Sequence, residues 1–213
     1  MDLRDIKVTD SNGDVYYQSP SVPVVCTPAP VGATLMKTGQ TTSYATNSDG
    51  DLEIGRETSF TVLASNNPFG NTNRFTSELG TQTYTNGIII DWSTYDGSTV
   101  LGWYKTDFST IILETWANAL INATALSVGG FSTWRIPNLI ELFSLMNFSS
   151  GNVFNYAPFN NTTLTVTWSS TTAPNGTASA LVRSGDGIIQ RGKTATSYSV
   201  RCRTFTVTGT TLT

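Results

Sequence analysis

Short runs of alternating apolar and polar residues, broken by turn signals, set the pattern of this chain. Ile6-Lys-Val-Thr9 and Val15-Tyr-Tyr17 flank Asp10-Ser-Asn-Gly-Asp14, and Asn-Gly between two β-prone runs predicts a hairpin. The following stretch, Ser19 to Pro30, contains four prolines, which exclude a helix or central strand and predict an extended connector. Turn residues then prevail from Leu35 to Gly87. Helical spacing appears from Glu114 to Ala125, where Trp116, Ala119, Leu120 and Ala123 form one apolar stripe. A second helix is predicted from Pro137-Asn138, with proline in its first turn and Leu139, Leu142, Phe143 and Met146 on one face. Beyond Gly151 the period returns to two. Leu164 to Trp168 alternates, and Ala180–Arg183 and Ile188–Arg191 face each other across a Ser-Gly-Asp-Gly187 turn. Tyr198 to Phe205 sets Tyr, Val and Cys against Ser, Arg and Arg, as a half-buried strand does. Two helices followed by a three-strand meander predict an α+β domain.

Composition narrows the picture. Only 13% of the residues are charged against 38% hydrophobic, so Thr, Ser, Asn and Gly supply the polar surface, which suits strands and tight turns. Aromatics reach 11%, with five Trp, enough packing material for a folded chain. The net charge is -3, and the 12 basic residues do not cluster, so no nucleic-acid partner is expected. Histidine is absent, which removes the commonest general base and zinc ligand together. Met-Asp-Leu-Arg-Asp-Ile-Lys-Val at the start has charges where a signal peptide needs an apolar core, predicting synthesis in the cytoplasm without a leader. Ile88-Ile-Ile90 is stopped by Asp91, so no membrane insertion is expected. Cys26 and Cys202 read as two free thiols, because two distant cysteines make no disulfide framework.

Candidate chemistry is sparse. Asn47-Ser-Asp-Gly-Asp51 suggests a calcium loop, but Ala45 and Arg56 stand where an EF-hand needs its first Asp and last Glu. An Asp-Gly turn is the simpler reading, with a different calcium site at Asp49 and Asp51 as the alternative. A hydrolase needs only two carboxyls, for which Asp91 and Asp107 are candidates, yet nothing local distinguishes them from solvated loop acids. No cofactor or catalytic residue is expected, and the Asn122-Ala-Thr124 and Asn175-Gly-Thr177 triplets read as ordinary composition.

An ordered set of motifs resembles the Lcl C-terminal domain family, which is named for a collagen-like adhesin and has a C-type-lectin-like fold. The set opens with Leu35-Met-Lys-Thr-Gly-Gln-Thr-Thr-Ser-Tyr44 and Asp49-Gly-Asp51. It continues through Arg74-Phe75, Thr115-Trp116 with Ala119-Leu120, and Gly129-Gly-Phe-Ser-Thr-Trp-Arg-Ile-Pro-Asn-Leu-Ile-Glu-Leu142. Trp168-Ser-Ser-Thr-Thr172, Asp186-Gly187 and Tyr198-Ser-Val-Arg-Cys202 complete it, so the likeness spans about 35–203. It divides the chain into a hairpin and attachment strap at 1–34 and a lectin-like domain at 35–213. These motifs are fold determinants in the family. Relatives commonly carry a helix cysteine able to pair with that of the last strand. Ala123 stands at that position here, so Cys202 loses the implied partner. The Asn86-Gly-Ile-Ile-Ile-Asp-Trp92 stretch also departs, as a changed strand and loop.

The resemblance implies a non-enzymatic recognition protein. Formylglycine-generating enzymes share the broad fold but use cysteine chemistry, for which no constellation is present. The missing leader and strap-like start favour a bacteriophage virion component: a capsid decoration, head-fibre or tail-associated protein. Residues 1–34 would bind other virion proteins, and the lectin-like domain would face a host-surface glycan. A homo-oligomer is expected, with a trimer favoured by family analogy. A secreted bacterial surface adhesin is the alternative, located extracellularly or on the cell surface. Ligand contacts are expected from Thr171, Asn175, Arg183, Asp186, Arg191 and Tyr198, on strands and loops after the second helix. Each also has a structural reading, as turn residue, solvated hairpin face or core aromatic.

Overall fold

The computed structural model describes residues 38–52, 59–110, 112–149, 154–161, 166–173 and 187–213, and the backbone alone of 7–9, 15–17 and 178–183. The Asn-Gly hairpin forms as read: β1 (Lys7–Thr9) pairs antiparallel with β2 (Val15–Tyr17). The proline-rich strap and Cys26 lie outside the described residues. The Asn47–Asp51 segment does more than turn: Asn47 takes a left-handed φ of 65°, and the chain then enters a single helical turn, α1 (Asp49–Leu52).

Two five-stranded sheets follow. The first contains β3 (Phe75–Thr76), β4 (Ile88–Asp91) and β5 (Thr99–Tyr104), joined later by β11 (Cys202–Thr208) and β12 (Thr211–Leu212), in the order β12-β11-β5-β4-β3. All its pairings are antiparallel. The second contains β6 (Leu113–Thr115), β7 (Val166–Thr172), β8 (Ala178–Arg183), β9 (Gly187–Gly192) and β10 (Thr196–Tyr198), in the order β6-β10-β7-β8-β9. It is antiparallel except where β10 meets β7 in parallel. Two helices complete the fold: α2 (Trp116–Thr124) and α3 (Leu139–Ser144). The architecture is α+β, as expected. Among the described residues no helix is long and apolar enough to cross a membrane.

The first sheet is covered on both faces, which explains three consecutive isoleucines in β4. Ile89, Leu101, Trp103 and Cys202 enter one core cluster with Leu142, Leu145, Met146 and Phe154. Ile88, Ile90, Val100, Phe205 and Val207 enter another with Trp92 and Trp134. A strand buried on both sides has no polar face to alternate with. The second sheet packs its Trp168 on Ala119, Ala123 and Ile136. The apolar stripe of α2 is therefore core, as its spacing predicts, and Trp168 sits fully buried beside a buried Ser169.

Three expectations change. The single strand predicted over Tyr198–Phe205 is two strands in different sheets: β10 stops at Tyr198 and β11 starts at Cys202. The residues between them do not alternate, since Ser199, Val200 and Arg201 are all buried, and Arg201 finds charged partners inside. The meander is likewise incomplete. β7, β8 and β9 are sequential hairpin partners, but β10 returns to the opposite side of β7 and β11 crosses to the first sheet. Finally, α3 begins at Leu139, two residues after Pro137, which was expected in its first turn. Asn138 is the N-cap, accepting from the Glu141 amide at 2.9 Å, while the Glu141 carboxylate accepts from the Asn138 amide at 2.7 Å. Pro137 thus precedes the cap, and this reciprocal box satisfies two amides that the helix cannot.

Candidate functional site

The second sheet carries four of the six residues expected to contact a ligand, Thr171, Arg183, Arg191 and Tyr198, and it separates them. At one end Thr172 pairs with Ser179 and Ser179 with Arg191. At the other end Val166 pairs with Arg183, Arg183 with Gly187, and Tyr198 with Thr167. Thr171 and Arg191 therefore stand a strand's length from Arg183 and Tyr198. Thr171 has a structural contact: its hydroxyl accepts from the Leu139 amide at 3.0 Å and so ties β7 to the first turn of α3. Tyr198 is half-buried and packs against the larger core cluster. Arg191 is half-buried on β9. Asn175 and Asp186 lie outside the described residues.

The two acids read as solvated loop residues are buried instead. Asp91 is fully covered and pairs with Arg74 through both oxygens, Nε–Oδ1 2.9 Å and Nη2–Oδ2 2.9 Å. Arg74 also donates to the Phe60 carbonyl at 3.1 Å and the Ser144 carbonyl at 2.6 Å, with the Phe60 and Phe75 rings 4.6 and 4.5 Å from its guanidinium. Asp107 accepts from the Arg201 side chain and backbone amide, both at 2.7 Å. Arg201 reaches on to Glu114 at 3.1 Å, and Glu114 also accepts from the Ser199 hydroxyl at 3.1 Å. Burial outweighs the Arg201 charge and pushes Asp107 up to about 7. These carboxylates bridge strands and loops, with their lone pairs occupied by fixed donors.

A third group surrounds Cys202. Arg135 and Cys202 exchange backbone hydrogen bonds, both at 2.9 Å. The Arg135 guanidinium grips Glu141 at 2.5 and 2.7 Å, and the Cys202 sulfur lies 4.0 Å from Glu141. Its hydrogen bonds to Glu141 hold the Arg135 charge above its ordinary range. Burial pushes the Cys202 thiol well above its ordinary range, so it is held as a neutral thiol. Cys202 is free, and Ala123 belongs to a different core cluster.

A cavity of about 180 Å³ opens elsewhere, between the 38–41 segment, Ser59–Thr61 and the turn after α3. Gln40, Asp49, Phe60, Thr61, Asn147 and Ser149 are among its lining. The acids of the suspected calcium loop are engaged locally: Asp49 accepts from the Thr38 hydroxyl, and Asp51 accepts from the Asn47 amide at 2.8 Å. Among the described residues no group of three or more His, Cys, Asp or Glu is placed to hold a metal ion.

The sequence model of the Lcl C-terminal domain matches residues 93–203, more than half of the chain. The chain belongs to this family. The match begins well after Leu35, so the likeness is shown for the later part of the 35–203 span expected for it. Within the Lcl segment fall both helices, the Asp107–Arg201–Glu114 cluster and the Arg135–Glu141 pair. Arg74, Asp91 and most of the cavity lining precede it, and Asn147 and Ser149 are the lining residues that the Lcl segment supplies. The chain finds no match among curated proteins.

Arg74, Glu141 and Arg201 stand within the family motifs, but neither they nor Glu114 were expected to form buried or capping ion pairs. For the buried pairs no local signal exists, because the partners are 17 and 94 residues apart. The Asn138-x-x-Glu141 spacing did carry a signal, that of a capping box.

Proposed function

We propose that this Lcl-family chain is a non-enzymatic recognition protein carried on a virion, where a C-type-lectin-like domain faces a host-surface glycan. Residues 1–34 attach it to other virion proteins, and the chain works as a homo-oligomer. The observation that carries the reading is the use made of the charges. Asp107, Glu114 and Glu141, all within the Lcl segment, are gripped by Arg201 and Arg135 and serve to join strands and helices. Asp91 is held in the same way by Arg74. Groups clamped by several fixed donors stabilise a scaffold, whereas a general acid or base must reach the proton it transfers. A rigid scaffold with Thr-, Ser- and Asn-rich loops supports recognition, because such side chains offer both donors and acceptors.

Co-sedimentation of the tagged chain with purified particles tests the setting. The full chain should travel with particles, and a chain lacking residues 1–34 should remain in the supernatant. Equal sedimentation of both would sink the attachment role of 1–34. Recovery on the bacterial surface, with none on particles, would place the chain as a secreted adhesin instead.

A further inference from the structure

The cavity after α3 has a lining with a definite chemical character. Phe60 supplies an apolar wall, and its ring is fixed: Tyr156 meets it edge-on at 5.0 Å and 88°, and Arg74 sits 4.6 Å from its centroid. Around it stand hydroxyls from Thr41, Ser59 and Thr61, amides from Gln40 and Asn147, and the Asp49 carboxylate. Among the described residues the lining carries one carboxylate and no Lys or Arg, which favours a neutral ligand over an anionic one. The groups match a neutral ligand that presents a C–H face on one side and a ring of hydroxyls, each both donor and acceptor, on the other. A pyranose has that character.

The polar groups are partly pre-aligned. The Asn147 side-chain oxygen accepts from the Ser149 amide at 3.0 Å and its hydroxyl at 2.7 Å, which leaves the Asn147 amide nitrogen as the group able to donate outward. Asp49 takes the Thr38 hydroxyl on Oδ2, leaving Oδ1 as an acceptor. Gly39 runs between these walls with φ of +85°, so close that a Cβ there would collide with the Asn147 side chain and press on Phe60. Glycine is required on both counts.

Size and surroundings agree. At about 180 Å³ the cavity is smaller than the roughly 300–1,000 Å³ typical of drug-sized ligand sites, and suits one small ring. Phe148, between two lining residues in sequence, is 40% exposed and stacks on Phe143 at 6.4 Å and 25°. Ile140, one turn before Phe143 on α3, is 75% exposed. The Phe143–Phe148 pair, adjoining the lining residues Asn147 and Ser149 in sequence, offers an apolar surface that fits the C–H face of a neighbouring sugar.

We propose that this cavity is the saccharide subsite of the protein, taking one neutral pyranose unit of a glycan, with Asp49 and Asn147 binding its hydroxyls. The proposal rests on the glycan-recognition reading above and assigns that recognition to residues outside the expected strand set. The test is a glycan array on the full chain, followed by titration calorimetry of the best-bound neutral glycan against Asp49→Ala and Thr61→Trp. The first removes an acceptor; the second blocks the mouth from an exposed position and keeps the test alive if the first fails to fold. At least about tenfold weaker binding by the folded variants is expected, with an unchanged thermal midpoint for Thr61→Trp. If the wild type binds and both variants bind within about twofold of it, the cavity is not the subsite, although the recognition reading stands. If the wild type binds no arrayed glycan, both fail.

Discussion

Replacing Arg74 with Met would release four segments at once. Its guanidinium joins β4 through Asp91, the Ser59–Thr61 turn through the Phe60 carbonyl, and the end of α3 through the Ser144 carbonyl, from its own place beside β3. The pair is 1% and 0% exposed. Breaking a buried pair by removing one partner costs about 3–5 kcal/mol, because the remaining charge is left uncompensated. Asp91 would keep only the Ser93 amide at 3.1 Å and hydroxyl at 2.5 Å. In a chain of this size each kcal/mol lowers the midpoint by about 2–4 °C, so Arg74→Met should lower it by about 6–20 °C. Calorimetry at fixed pH measures this directly. Arg74→Met combined with Asp91→Leu should recover part of the loss, since no lone charge then remains inside. A drop below about 3 °C for the single variant would refute the reasoning. So would a double variant whose loss equals the sum of its parts.

Asp107 gives a pH signature. Its folded value of about 7 stands above the ordinary 3.8, so the folded chain holds that proton more tightly than the unfolded one. The contribution is fully present below about pH 4 and is lost as pH rises through 7. Urea midpoints at pH 5 and 8 should therefore diverge more in the wild type than in Asp107→Asn; parallel pH profiles would contradict the assignment. Gly102→Ala should cost about 1–3 kcal/mol, because a Cβ in mid-β5 would overlap the buried Phe205 ring and lie 3.1 Å from Ile90 Cδ1. An unchanged thermal midpoint would show that this core can shift. Asn138→Ala should cost about 0.5–2 kcal/mol through the lost cap, and Glu141→Ala more, since it also frees Arg135. The reverse order in urea titrations would contradict the account of α3.

Local periodicity carried much of the fold. The stripe of Trp116, Ala119, Leu120 and Ala123, the Ala180–Arg191 hairpin and the Asn-Gly hairpin at the start all form where spacing places them. Spacing failed where a segment is buried on both sides. Ile88–Ile90 shows no alternation, yet the strand read there on family grounds forms as β4, while Tyr198–Phe205 resembled one strand and is two. In the second case the reason is Arg201, whose buried charge is stable only because Asp107 and Glu114 arrive from distant parts of the chain. No window of sequence contains that information. The candidate cavity was illegible for the same reason, since it brings residues 38–41 against Asn147 and Ser149. The expected strand residues were chosen by position after the second helix, and the register distributes them to opposite ends of a sheet.

The claim most in need of trial is that this Lcl-family protein binds a glycan and leaves it unchanged. The full chain should be incubated with the best-bound arrayed glycan, then binding read by calorimetry and the recovered sugar by mass spectrometry. The account predicts saturable binding and a glycan of unaltered mass after prolonged incubation. Cleaved or modified product accumulating with time would contradict it, as would failure to bind any glycan on the array.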